Sequence, residues 1–163
     1  MSIELTQDYL KSLLSYDAET GVFMWTAGRW AGKIGGWNNG NGYLRVGING
    51  KQYFCHRLAW LYVYGKLPEI DTDHINGVKN DNRIVNLRAC LTSENTWNSG
   101  IRKSNTSGFK GVDFNKATGK WRARLRIDGN EKHLGLFSAP ELASAVRESN
   151  ARKAHGEFYR ESK

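Results

Sequence analysis

Apolar positions along the chain change period several times, and each change predicts an element. In TQDYLKSLLS (6–15), Tyr9, Leu10, Leu13 and Leu14 recur at helical spacing. Thr6 can cap the first turn and Asp8 sits near its positive end, so a short helix is expected. VFMW, after the turn DAETG, reads as a strand, and the Gly- and Asn-rich stretch 28–41 reads as loop. In GYLRVGINGKQYFCH the pattern alternates around Asn49-Gly50, which predicts a hairpin with positive φ at both turn residues. RLAWLYVYG (57–65) reads as a buried helix ending at Gly65 in preference to a continuing strand. RIVNLRACLT has extended character, and Thr92-Ser93 offers a cap for a helix through SENTWNSG.

Residues 99–108, SGIRKSNTSG, are small, polar and basic without any apolar period, which marks a linker. The rest follows its own rhythm of three strands and a long helix, 140–154, expected to bury Leu142, Ala145, Val146 and Ala154. WRARLRI (121–127) alternates with period two: Trp121, Ala123, Leu125 and Ile127 on one face, Arg122, Arg124 and Arg126 on the other. Three arginines on one exposed face repel unless something anionic lies opposite. DNA supplies that economically, since guanidinium groups match phosphate oxygens and guanine edges. The organisation expected is therefore 1–98, a linker at 99–108, and 109–163.

Composition sharpens this picture. A formal net charge of +8 in 163 residues favours a polyanionic partner. The basic excess is denser towards the C-terminus, with twelve Lys/Arg against nine Asp/Glu in 1–104 and twelve against seven in 105–163. Cys55 and Cys90 are far apart and outside any C-x-x-C pair, which argues against a structural zinc site or a disulfide scaffold and fits a reducing interior. No apolar run is long enough to cross a bilayer, and no secretory pattern opens the chain, so a cytoplasmic protein is expected. RNA binding finds neither an RNP-like aromatic motif nor a GXXG clamp to support it.

The candidate chemistry lies in TDHINGVKNDNR (72–83). On its own this stretch is either a turn stabilised by Asp and Asn side chains or half of a hydrolytic site. Cleaving a phosphodiester needs a base for water and a cation against the developing charge. His74 suits the first role, and Asp73 suits the second as an oxygen ligand. One carboxylate holds a cation poorly, and Asn95 in the following helix is the candidate for a further oxygen ligand. His56 reads as structural, while Arg57, Arg83 and Arg88 are either phosphate contacts or surface arginines.

The whole run DHINGVKNDNRIVNLRACLTSEN (73–95) resembles the HNH endonuclease motif of phage and intron-encoded homing nucleases, and YFCHRLAWLYVYG resembles the segment upstream of it more loosely. The resemblance implies a ββα-metal nuclease domain in which His74 is the general base and Asp73 and Asn95 ligate one divalent cation, Mg²⁺ or Mn²⁺. It also assigns Asn86 to hold the loop and orient His74. Residues 107–158 resemble the AP2 DNA-binding domain of plant transcription factors and phage nucleases, through G-V, K-W-x-A-x-L-R and L-G-x-F. That likeness implies a small three-stranded antiparallel sheet packed on one helix and entering the major groove. The matching reading face is Arg124, Arg126 and His133, to which alternation and charge add Arg122 and Lys110. The fold class expected is thus α+β, and the function expected is a homing-type endonuclease of double-stranded DNA. It would act as a monomer or dimer in a bacterial or phage-infected cell, without a small-molecule cofactor or membrane partner. A DNA-binding regulator without catalysis is the alternative.

Overall fold

Helix α1 (Gln7–Leu13) begins where Thr6 Oγ1 accepts a 3.2 Å bond from the Tyr9 amide, in a computed structural model that describes residues 4–38, 40–127 and 129–159. Expectations that touch residues 1–3, 39, 128 and 160–163, and Ser93 as a cap, lie outside the described residues and side chains. The chain divides between Leu91 and Thr92 into two units.

In the first unit, α1 stops at Leu13 and the chain runs directly into strand β1 (Leu14–Asp17), which pairs antiparallel with β2 (Val22–Trp25). The stretch expected as plain loop contains a single 3-10 turn (Gly28–Trp30) and two short strands, β3 (Ile34–Gly35) and β4 (Trp37–Asn38). Strand β3 completes the sheet β1-β2-β3, and β4 opens the sheet β4-β5-β6 with β5 (Leu44–Ile48) and β6 (Lys51–Phe54). Asn49 and Gly50 join β5 to β6 at φ 51° and 75°, the doubly positive turn the sequence predicts. Helix α2 (Cys55–Tyr64) starts two residues earlier than the pattern suggests and ends on Gly65 in the left-handed region. Leu10, Leu14, Phe23, Val46, Leu58, Leu61 and Leu87 share one core, to which α1, α2 and all three sheets of the unit contribute. The third sheet is the pair β7 (Asp71–His74) and β8 (Leu87–Cys90), which sets Asp73 opposite Arg88 and His74 opposite Leu87.

The second unit opens with helix α3 (Thr92–Asn98). Residues 99–108 do not form an open tether. Asn105 Nδ2 donates to the Phe109 carbonyl at 2.8 Å and Ser107 Oγ to the Val112 carbonyl at 2.7 Å, folding the segment onto its own unit. Side-chain bonds from small polar residues hold it where an apolar period would normally be sought. Strands β9 (Val112–Asn115), β10 (Lys120–Ile127) and β11 (Asn130–Phe137) form an antiparallel sheet in the order β11-β10-β9, and helix α4 (Pro140–His155) packs on it. The buried stripe of α4 is Ala143, Ser144, Arg147, Ala151 and His155. This corrects the expected stripe: Leu142 is 54% exposed and Ala145 is exposed. Small residues two turns apart let the helix approach the sheet closely, so the contact stripe follows the alanines at 143 and 151 rather than the most apolar side chain.

The architecture is therefore mixed α and β, built from several small antiparallel sheets. Among the described residues, no helix is long and apolar enough to cross a membrane.

Candidate active site and nucleic-acid interface

Strand β7 carries Asp73 and His74 at adjacent positions, and the two side chains find different partners. Asp73, 5% exposed, accepts from Arg88 Nε at 3.1 Å and Nη2 at 2.8 Å across the strand pair. His74, 4% exposed, meets His56 edge-on at 5.1 Å between ring centroids and Tyr43 at 5.9 Å. Its Nε2 lies 3.4 Å from Asn82 Oδ1. Burial holds its pKa below the ordinary imidazole value, with the Asn82 bond and the Asp73 charge pulling the other way. His74 is thus neutral at neutral pH, the form that accepts a proton.

The turn after β7 is closed by asparagine and aspartate side chains. The Gly77 amide donates to the His74 carbonyl at 2.7 Å. Asn86, 7% exposed, accepts from the Asn76 amide at 3.0 Å and donates to the Asp81 carbonyl at 2.8 Å. Asn86 therefore clasps the loop at both ends. Asn82 reaches the His74 ring, while Asn86, expected to orient His74, bonds to the loop at Asn76 and Asp81. Asn82 itself is 1% exposed, and its Nδ2 donates to the Asn80 carbonyl at 3.2 Å.

Asn82 was invisible as a functional position in the sequence, one asparagine among several in a polar run. Its place is set from outside the motif. Tyr16 on β1 donates its hydroxyl to the Asn82 carbonyl at 2.7 Å. Burial pushes the Tyr16 phenol up to about 12, so it remains a donor. Gly21, at φ 73°, brings the β1–β2 turn so close that a Cβ would stand 2.4 Å from the Arg83 nitrogen and 2.6 Å from the Asn82 carbonyl carbon. Only a residue without a side chain fits there.

His56, on the first turn of α2, is buried between Phe54, Tyr43 and His74, and its Nδ1 has no hydrogen-bond partner. Burial, with His74 and Arg57 nearby, lowers its pKa to about 3. Its place against the His74 ring agrees with a supporting role.

Of the two expected cation ligands, Asp73 lies in the first unit, and Asn95, half-buried on α3, lies in the second. A carboxylate and an amide oxygen are hard donors, which fits Mg²⁺ or Mn²⁺ and not a thiolate-seeking ion. Among the described residues, no group of three His, Cys, Asp or Glu side chains is placed to hold a metal.

On the second unit, the alternation in β10 holds: Ala123 and Leu125 are buried while Arg122 and Arg124 stay partly exposed. Something anionic does lie opposite the arginines, and it is part of the chain. Asp113 on β9 pairs with Arg122 at 2.8 Å and Arg124 at 2.9 Å, and Glu131 on β11 pairs with Arg124 at 3.1 Å. The acids sit on neighbouring strands, so reading β10 alone could not find them. Arg126 and His133 are exposed, and Arg126 makes no ion pair among the described residues. The ammonium of Lys110, a further expected DNA contact, donates to the carbonyls of Trp97, at 2.7 Å, and Ser99.

With this geometry in place, comparison with known proteins is informative. A family model for HNH endonucleases matches residues 53–96, from the end of β6 through β7, the clasped loop, β8 and part of α3. Protein 3.8 of Escherichia phage T7 is 32% identical over 106 residues, which cover 64% of this chain and 87% of that protein. No solved structure matches the chain.

Proposed function

We propose that this chain, which belongs to the family of phage T7 protein 3.8 and carries an HNH endonuclease domain at residues 53–96, is a metal-dependent endonuclease that hydrolyses phosphodiester bonds of duplex DNA. The observation that carries this reading is a buried, neutral His74 at the end of β7, backed by Asn82 and adjacent to Asp73.

When Nε2 donates to Asn82 Oδ1, His74 keeps a lone pair on Nδ1, which takes the proton from the attacking water. Asn86 and the Asn/Asp turn hold that ring by fixing the strand end that carries it. Asp73 and Asn95 would hold a divalent cation, whose charge, when bound, offsets the negative charge that develops on phosphate and on the departing 3′ oxygen. Arg88, paired to Asp73, holds the buried carboxylate in position. The products expected are 5′-phosphate and 3′-hydroxyl ends. The arrangement of β7, β8 and α3 is proposed to be the ββα-metal unit, and the β9–β11 sheet with α4 to be AP2-like. Arg122, Arg124, Arg126 and His133 would meet DNA, with the acids at 113 and 131 holding two of the arginines in position. One site cuts one strand, so a monomer nicks, and a double-strand break of the homing type requires two copies or two binding events.

The Asp73–Arg88 ion pair favours a second reading, a DNA-binding regulator in which that carboxylate is structural. Incubating a library of phage and bacterial duplex DNA with protein and Mg²⁺, and sequencing the ends formed, separates the two. Ends that appear with the wild type and vanish with His74→Ala support the nuclease. Duplex binding without any new ends, with or without Mg²⁺, favours the regulator.

A further inference from the structure

Within the second unit, the segment 99–111, the end of β10 beyond its pairing with β9, and the end of α4 enclose a cleft of about 440 Å³, within the size range of small-molecule sites. Arg147 of α4 lines it while only 4% exposed, and its Nε and Nη1 are buried with no hydrogen-bond partner. Gly111 lies against this guanidinium, since a Cβ there would be 3.3 Å from Nε. A buried guanidinium with unmet donors and, among the described residues, no salt bridge is costly, and an anion entering the cleft would meet both deficits. Arg102 and Arg126 also line the cleft and make no ion pair among the described residues. The two carboxylates of the lining, Asp113 and Glu131, are both engaged by Arg124. Trp97 and His155 also line the cleft, their rings stacked on each other at 4.3 Å and 4°, so that a base can add to the outer face of the stack.

We infer that this cleft binds a nucleoside 5′-monophosphate group, with the phosphate on Arg147 and Arg102 and the base near the Trp97–His155 stack. The fork of an arginine matches phosphate oxygens, and an aromatic face accepts any base by stacking. The ligand is either a free nucleotide or the phosphorylated end of a DNA strand; both present the same chemistry. The inference is independent of duplex cleavage, because it rests on residues of the second unit and is tested without duplex.

The test uses the full ¹⁵N-labelled chain and follows the Arg147 Nε–Hε resonance during titration. The ligands are inorganic phosphate, a deoxynucleoside 5′-monophosphate, the nucleoside without phosphate, and a short single strand with or without a 5′-phosphate. Phosphate and the monophosphate should move the resonance, and the monophosphate should bind about tenfold tighter because of stacking. The unphosphorylated nucleoside should leave it in place. Binding of the phosphorylated strand at the affinity of the monophosphate assigns the cleft to strand ends; binding of the monophosphate alone assigns it to free nucleotide. Arg147→Gln should weaken the phosphate ligands about tenfold or more. Arg102→Gln, at an exposed position, provides the same check should the buried substitution prevent folding. A resonance unmoved at millimolar phosphate and nucleotide, or undiminished affinity in the folded variants, overturns the inference.

Discussion

Asn82 reaches the His74 ring from the far end of the loop that His74 begins, and this bond governs the chemistry expected of the site. His74→Ala should lower cleavage of duplex DNA with Mg²⁺ by roughly 10²–10⁴-fold, the usual range for a general base, with duplex affinity nearly unchanged. Equal cutting by both proteins would remove His74 from the mechanism. Asn82→Ala leaves the fold-bearing backbone bond to Tyr16 in place but takes away the ring's partner. Its expected signature is a fall in kcat with little change in KM, measured on a duplex containing the cut site. A loss confined to KM would mean that Asn82 serves binding instead. His74 and Asp73 could be picked out from sequence because the whole run 73–95 resembles the HNH motif. Asn82 could not, because its role depends on loop closure and on Tyr16 and Gly21, more than sixty residues upstream.

At the level of elements, two close approaches matter. The β1–β2 turn seats against Asn82 and Arg83 only because Gly21 has no side chain. Gly21→Ala combines a clash with backbone and an unfavourable φ, and should destabilise the first unit by about 1–3 kcal/mol in denaturant titration. In the second unit, the acids flanking β10 divide the arginines into engaged and exposed. Arg124→Ala with Arg126→Ala should weaken duplex binding and reduce the slope of log affinity against log salt by about 1–2. Asp113→Asn should act in the opposite sense, removing a negative charge from this face and releasing Arg122 while Glu131 still holds Arg124, and so tightening binding at low salt. If neither change alters the salt slope, this sheet face does not meet DNA. The alternation of β10 was readable from one strand; the pairing of its arginines needed the register of three.

At the scale of the whole molecule, each unit has its own apolar core, so a perturbation placed in one is read there. His56 offers such a perturbation through pH. Its folded pKa is near 3 against an ordinary value of 6.5, so below 6.5 the unfolded chain binds a proton that the folded unit refuses. Stability from this group is complete above pH 6.5 and is lost as the pH falls towards 3, at most about 1.4 kcal/mol per pH unit. Amide exchange should therefore show α2 and its neighbours in the first unit losing protection in that window, and His56→Gln should flatten the dependence. Protection that is independent of pH between 6.5 and 3 would contradict the burial of this ring.

The sequence by itself determined most of the local structure: the cap at Thr6, the hairpin at Asn49-Gly50, the helix closed by Gly65 and the alternation of β10. These follow from periodicity and backbone preference, which act over a few residues. It also marked Asp73 and His74, through the likeness of the whole run 73–95 to the HNH motif rather than through the pair alone. Tertiary structure decided which neighbours those residues have: Asn82 for His74, Arg88 for Asp73, Asp113 and Glu131 for the arginines, and an unpartnered Arg147 inside a cleft. It also drew the division at Leu91 and Thr92, within the span of the HNH match, and folded the polar segment 99–108 onto the second unit. The physical reason is the same in each case. Partner choice depends on distances between segments remote in the chain, and residue spacing carries no record of those distances until the chain has folded.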